Sequence, residues 1–174
     1  MRTYSAAAEA AGSGFDKNPS PGNIRDGLIT GAMKSAGAAR KGGRSPVTGV
    51  LDYPEYAESA GLSLLCTPGN DLESVTAQVA AGANLVLFTT GLGTPTGNPI
   101  SPVIKVSTNS QLATRMHDII DIDCGTILTK GQALEEVGDA LLETIIRTAS
   151  GETRTRAELK HQDDFIPWKR GVSL

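Results

Sequence analysis

Leu85-Val86-Leu87-Phe88-Thr89, running straight into Thr90-Gly91-Leu92-Gly93-Thr94-Pro95-Thr96-Gly97, decides how this chain is read. An apolar run containing Val and Phe predicts a strand buried on both faces, as in a parallel sheet. The Gly- and Thr-dense loop that follows leaves backbone free to approach a ligand at the carboxyl end of that strand, where open α/β sheets place their sites. Upstream, Leu62 to Cys66 predicts a strand and Leu72 to Ala81 a helix, with Asn70 or Asp71 as N-cap and Gly82 as stop. Residues 62 to 90 thus read as one right-handed strand–helix–strand unit. Downstream, Val103 to Val106 predicts a strand, Ser110 to Met116 a short helix and Ile119 to Ile122 a brief strand. In Leu134 to Ala149, Leu134, Val137, Leu141, Leu142, Ile145 and Ile146 fall at three- and four-residue spacing, the mark of an amphipathic helix.

Nearer the amino terminus, Tyr4 to Ala11 predicts a short Ala-rich helix, Leu28 to Arg40 a second one, and Thr48 to Leu51 a short strand. Asn18-Pro19-Ser20-Pro21-Gly22-Asn23 reads as a rigid turn, because two prolines disfavour both helix and central strand. The expected fold class is α/β: a three-layer, mainly parallel sheet with flanking helices, Rossmann-like.

With 174 residues, 39% hydrophobic and 20% charged, the chain has the balance of an ordinary globular domain. Aromatics at 4% leave the core to Val, Ile, Leu and Ala. A net charge of −3 and the lack of a basic stripe argue against nucleic acid or an anionic lipid surface as partner. No stretch reaches the roughly 18 apolar residues of a membrane span, and Met1 to Ser5 lacks a secretion signal's apolar core. Cys66 and Cys124 form no Cys-x-x-Cys pair and read as reduced, buried thiols, so a cytoplasmic location is expected.

Three polar loops are candidates for binding: Asn18 to Asn23, Thr67 to Asp71, and Thr89 to Gly97. Consecutive N–H groups in Gly-rich turns and at helix starts hold anions, carboxylates included, although Asn-rich turns also arise for purely structural reasons. Lys105 sits between Ile104 and Val106 in an apolar strand, so its charge must reach the sheet end or find a partner. His117, Asp118, Asp121, Asp123 and Cys124 are the densest set of potential metal ligands, with Asp121 and Asp123 on one strand face. Their oxygens suit magnesium or manganese, and an added imidazole or thiolate would suit iron or zinc. The spacing matches no strong metal motif, and a solvated acidic edge is the plainer reading. The chain carries no G-x-S-x-G elbow, no phosphate-binding G-x-x-x-x-G-K-[ST] and no G-x-G-x-x-G, which counts against serine hydrolase, nucleotide triphosphatase and dehydrogenase.

The spelling of these loops goes further. Asn18-Pro19-Ser20-Pro21-Gly22-Asn23, Thr67-Pro68-Gly69-Asn70-Asp71, Phe88-Thr89-Thr90-Gly91 with Gly93-Thr94, and Lys105-Val106-Ser107-Thr108-Asn109 resemble the altronate and galactarate dehydratase family, which includes sulfolactate sulfo-lyases. Asp164-Phe165-Ile166-Pro167-Trp168-Lys169-Arg170 looks most like the altronate branch. Family members are longer, so the resemblance implies that residues 1 to 174 form a single C-terminal domain of a larger parent enzyme, with Met1 an artificial start.

The resemblance further implies elimination of water from a hexonate, altronate or alternatively galactarate, to give a 2-keto-3-deoxy acid, aided by a divalent metal, iron(II) or manganese or magnesium. Such chemistry needs a base for the proton beside the carboxylate, help for the leaving hydroxyl, and donors for the developing enediolate. On this reading Lys105 and Asp71 serve the chemical step. Asn18, Ser20, Asn23, Asn70, Thr89, Thr90, Gly91, Gly93 and Asn109 hold the substrate, and Asp121, Asp123 and Cys124 are the metal candidates. Leu92 stands where many relatives have Arg, and Ala32-Met33 where many have a Glu pair. The implied partners are a small sugar acid, the rest of the parent chain and further copies in a homo-oligomer. Two rival readings are a non-catalytic sugar-acid binding or assembly module and, by fold analogy alone, a nucleotide-binding domain.

Overall fold

The structure, a computed structural model, describes residues 6, 7, 9–12, 19–25 and 27–167. Asn18, Trp168, Lys169 and Arg170 lie outside that set. Two compact units are present, residues 1–48 with 169–174, and residues 49–168.

In the first unit, α1 spans Pro21–Arg25 and α2 spans Gly31–Lys41. The rigid non-helical turn expected at residues 18 to 23 is therefore corrected: Pro21 opens a helix. At the first helical position a proline loses no intrahelical hydrogen bond and its fixed φ suits the helix. Ser20 precedes it and its hydroxyl accepts from Asn23 N at 3.4 Å. Thr30 caps α2 by accepting from Met33 N at 3.3 Å, which moves that helix's start beyond Leu28.

The second unit carries the sheets. β1 (Val47–Leu51) begins at the unit boundary and pairs with β2 (Leu62–Leu65) as a two-stranded sheet. A separate three-stranded sheet runs in the order β3 (Val86–Thr90), β4 (Val103–Ser107), β5 (Ile122–Asp123), with both pairs parallel. Helix α3 (Asp71–Ala80) leads into β3, and α4 (Ser110–Arg115) and α5 (Thr126–Thr129) follow β4 and β5. The unit is completed by α6 (Leu134–Ala149) and α7 (Arg156–Leu159). The expected strand–helix–strand unit from 62 to 90 does not share one sheet. β2 takes β1 as its partner, with Cys66 N donating to Leu51 O at 2.9 Å, and β3 pairs with β4.

β4 is the strand buried on both faces. All five of its residues are buried, whereas β3 is an edge strand with Leu87 42% exposed, so the two-sided burial expected of residues 85 to 89 belongs one strand over. Alternation along β4 sends Val103, Lys105 and Ser107 to one face and Ile104 and Val106 to the other. On the first face Val103 and Val86 form a core cluster with Val75 of α3, flanked by Val79, Ala83 and Phe88. On the second, Ile104 lines a cavity together with Thr144 and Thr148 of α6. Helices thus flank the sheet on both faces, the three-layer arrangement expected for an α/β fold.

Helix α6 has the expected bounds but not the expected burial. Val137 is buried, while Leu134, Leu142 and Ile146 are 66%, 54% and 53% exposed. The apolar arc is wider than the strip of sheet beneath it, and threonines take part of the inner face. Cys66 and Cys124 are free thiols, each half-buried. No described helix is long and apolar enough to cross a membrane.

The contrast between β3 and β4 is measurable. Ile104→Ala removes a fully buried side chain and should lower unfolding free energy by about 2–4 kcal/mol in urea. Leu87→Ala, on the open face of the edge strand, should cost less than about 1 kcal/mol. Equal losses would show that β3 is covered on both faces after all.

Candidate functional site

The carboxyl ends of the three parallel strands lie side by side, and each opens into a polar turn. Thr90-Gly91 leaves β3, Thr108-Asn109 leaves β4 and Cys124-Gly125 leaves β5. Thr108 N donates to Thr90 O at 3.1 Å, and Cys124 N to Ser107 O at 3.0 Å, so the ladder continues past the strand ends. Asn109 stitches the turns together: its Nδ2 donates to Gly91 O at 3.0 Å and its Oδ1 accepts from Leu112 N at 2.7 Å, capping α4. Both ends of its amide are committed to the chain itself, which makes Asn109 the clamp of the loop cluster. Thr90 Oγ1 accepts from Gly93 N at 2.9 Å and folds the glycine turn back on the strand.

Two glycines are required here. Gly93 has φ of 90°, and a side chain there would also run into Met116 Sδ. At Gly125 a Cβ would collide with the backbone of Asn109 and Ser110, so close approach of the third turn depends on its absence. Gly125 was not among the sequence candidates. Its signal was a glycine directly after the Asp123-Cys124 strand end.

Thr89 and Gly91 are exposed, Thr90 and Gly93 partly so, and all four belong to this cluster. Asn70 and Asp71 begin α3 on the surface, and Asn70 makes no side-chain cap bond. Helix α3 packs on β3 and precedes it through a tight turn, so it runs against the strand and its start faces the strand-end side. Ser20 and Asn23 belong to the first unit, where Asn23 Oδ1 accepts from Lys34 Nζ at 3.1 Å.

Lys105 is not at the surface. It is 0% exposed, and its Nζ donates to Thr96 O at 2.8 Å. Burial pushes its pKa down from 10.5 to about 8, partly opposed by the charge of Asp121. The amine holds the loop that crosses from β3 to β4. Thr96, unremarked in the sequence, is its anchor.

The acidic candidates are likewise engaged. Asp121 Oδ2 accepts from Lys105 N and Oδ1 from Arg156 N, each at 2.7 Å, tying β4 to the start of α7. Burial raises its pKa, against the pull of those two N–H groups. Asp123 Oδ1 accepts from Gly125 N at 2.8 Å. Burial and the neighbouring Asp123 raise the Cys124 pKa, which keeps it a thiol. Among the described residues no three His, Cys, Asp or Glu side chains gather as a metal set. Asp121, Asp123 and Cys124 thus do not form a three-ligand set by themselves. Asp118 pairs instead with Lys160 at 2.9 Å.

The sequence matches the family described as D-galactarate/Altronate dehydratase, C-terminal, over residues 1–173. The chain belongs to this family. It is 39% identical to altronate dehydratase of Escherichia coli over 158 residues, 91% of this chain and 31% of that protein. Galactarate dehydratase (L-threo-forming) of the same organism is 42% identical over 138 residues, 79% of this chain and 26% of that one. The (2R)-sulfolactate sulfo-lyase subunit beta of Chromohalobacter salexigens is 38% identical over 152 residues, 87% of this chain and 39% of that one. The chain thus spans between a quarter and two-fifths of the length of these relatives.

Two substitutions test the geometry. Gly125→Ala should destabilise the fold by about 2 kcal/mol or more in thermal or urea unfolding, whereas Gly69→Ala, with nothing near its Cβ position, should be close to neutral. For Lys105 the readout is pH. Below about pH 8 the amine is charged in both the folded and unfolded chain, and its burial costs stability in full. From about 8 towards 10.5 the folded chain releases the proton first, so this group's contribution rises with pH. Relative to Lys105→Met, the parent protein should gain about 2 kcal/mol between pH 8 and 10, and a flat difference would show that the amine is solvated.

Proposed function

We propose that this chain is the substrate-holding C-terminal part of a hydro-lyase that removes water from a hexonate, with altronate as substrate and galactarate as the alternative. The observation that carries the proposal is the alignment of three polar turns, two of them with glycine, at the ends of parallel strands within a chain of this family. Thr89 and Thr108 are exposed. The Thr108 hydroxyl, which donates to Thr90 O at 3.4 Å, can still accept from a sugar hydroxyl, while the Gly91 backbone suits a carboxylate or the enediolate that forms from it.

The reaction takes the proton from the carbon beside the carboxylate, expels hydroxide from the next carbon as water, and leaves an enol that becomes the 2-keto-3-deoxy acid. Binding and orientation fall to the turns described above. Asp71, at the exposed start of α3, is this chain's candidate for a proton-handling group. Lys105 acts on the loop rather than on the substrate. A divalent metal in the parent enzyme would need ligands in addition to any from the Asp121–Cys124 stretch, whose side chains do not form a three-ligand set. The non-catalytic module remains the second reading, favoured for the isolated chain because both Asp121 oxygens and the Lys105 amine are occupied within the fold.

The test pairs calorimetry with a coupled assay for 2-keto-3-deoxy acid, using altronate and galactarate with iron(II), manganese or magnesium and after chelation. The expected result for this chain alone is hexonate binding without turnover. Thr108→Val should weaken that binding by roughly three- to tenfold, one lost neutral hydrogen bond. Metal-dependent product from this chain would place base and metal ligands within its 174 residues and overturn the division of labour. Absence of any hexonate binding would overturn the substrate-holding role.

A further inference from the structure

Away from the strand ends, a cavity of about 250 Å³ opens between the Ile104 face of the sheet, α6 and the turn that leads into α7. Its volume lies just below the ~300 Å³ at which drug-sized pockets begin, so its occupant is small. Three arginines, Arg147, Arg154 and Arg156, and two acidic residues, Asp121 and Glu143, line it, with the Arg154 guanidinium donating to Glu158 O at 3.5 Å. Asp121 keeps its charge while each of its oxygens accepts a backbone N–H, so three arginines against two carboxylates leave the lining one positive charge in excess. Arg156 donates its backbone nitrogen to Asp121, and its guanidinium acts on the Asp121 charge without making a hydrogen bond or close ion pair among the described residues. Arg147 meets only Glu152, at 3.6 Å on the solvent side.

The hydroxyls are the second observation. Thr148 lines this cavity, is 8% exposed, and its Oγ1 has no hydrogen-bond partner among the described residues. A threonine that far inside a helix normally returns its hydroxyl to the carbonyl four residues back, as Thr144 does to Ala140 O at 2.8 Å. The Thr148 hydroxyl is therefore free to meet a ligand hydroxyl or oxyanion in the cavity. Arginine forks recognise a carboxylate, while Thr148, Thr153 and Glu143 offer donors and acceptors for hydroxyl groups.

We infer that this cavity is a second binding site, for a small hydroxylated carboxylate, distinct from the strand-end turns. The inference does not rest on the proposed reaction, and the two sites report through different amides.

The experiment is an NMR titration of the full chain with D-gluconate, inorganic phosphate and glycerol as probes. Gluconate should shift the amides of Thr148 and Arg156 saturably, phosphate should do so more weakly, and glycerol should not. Arg156→Gln keeps the backbone bond to Asp121 and should weaken gluconate at these amides about tenfold, the loss of one charge-assisted contact. Thr148→Val, nearly isosteric, should also weaken it while leaving the thermal midpoint within a few degrees. Shifts confined to Thr90 and Asn109, or insensitivity to both variants, would overturn the second site. Phosphate binding as tightly as gluconate would overturn the hydroxy-acid assignment.

Discussion

One buried ammonium organises the second unit. Adjacent parallel strands need a crossover, and the usual solution is a helix whose own hydrogen bonds satisfy its backbone. Between β3 and β4 the chain crosses without one, over residues 91 to 102. Much of that segment is buried, with Thr94, Thr96 and Asn98 each below a tenth exposed, so its polar groups must find partners inside. Lys105 supplies the partner in the middle, Thr96 O. Thr94 and Thr96 pair through their hydroxyls at 2.7 Å, and Asn98 Oδ1 accepts from Ile100 N and Ser101 N. A charge-assisted bond contributes about 1.5–3 kcal/mol, enough to offset much of the cost of burying the amine near neutral pH. The same strand residue receives Asp121 on its backbone nitrogen, so crossover, sheet and α7 are joined through one position.

That junction explains why the strand-end turns are well defined although they are polar and glycine-rich. The crossover leaves β3 through Gly91 and Gly93, and its far part is held by Lys105. Its near part is held by Thr90 Oγ1 and by Asn109 Nδ2 on Gly91 O. Glycine freedom would otherwise leave such a turn disordered at a cost in binding. Pinned at both ends, its N–H groups are preorganised, which is what stabilising a developing oxyanion requires.

Periodicity made the strands and the long helices legible, because Val86 to Thr90, Val103 to Ser107 and Leu134 to Ala149 carry strong local patterns. Which strand lies inside was not legible. Leu87 and Ile104 look alike in sequence, and only pairing order makes one an edge residue and the other core. Leu142 and Ile146 likewise belong to an apolar stripe whose outer half the described residues leave uncovered. At the candidate site, Gly and Thr residues marked a turn at a strand end, and the structure folds that turn through Gly93 N and Thr90 Oγ1. They could not distinguish Asn109 as a clamp from Asn109 as a ligand, since that depends on where Gly91 O and Leu112 N fall in space. Lys105 was conspicuous as a charge in an apolar strand, and the partner that resolves it is nine residues upstream in a different element.

The roles of Lys105 and Asp121 bear on how labour is divided in enzymes of this family. Elimination needs a base that can gain a proton and an acid or metal that can help hydroxide leave. A lysine sealed against a carbonyl, and a carboxylate with both oxygens on backbone nitrogens, are poorly placed for either task without opening the fold. Their pKa shifts follow from burial and therefore report position in the core, although shifted groups are often taken as marks of catalysis. What the second unit provides is a fixed frame: three strand ends in register, glycines where the chains approach, and a crossover held by Lys105. The chain covers less than two-fifths of the relatives' length, which leaves ample sequence elsewhere in such proteins for the groups that move protons.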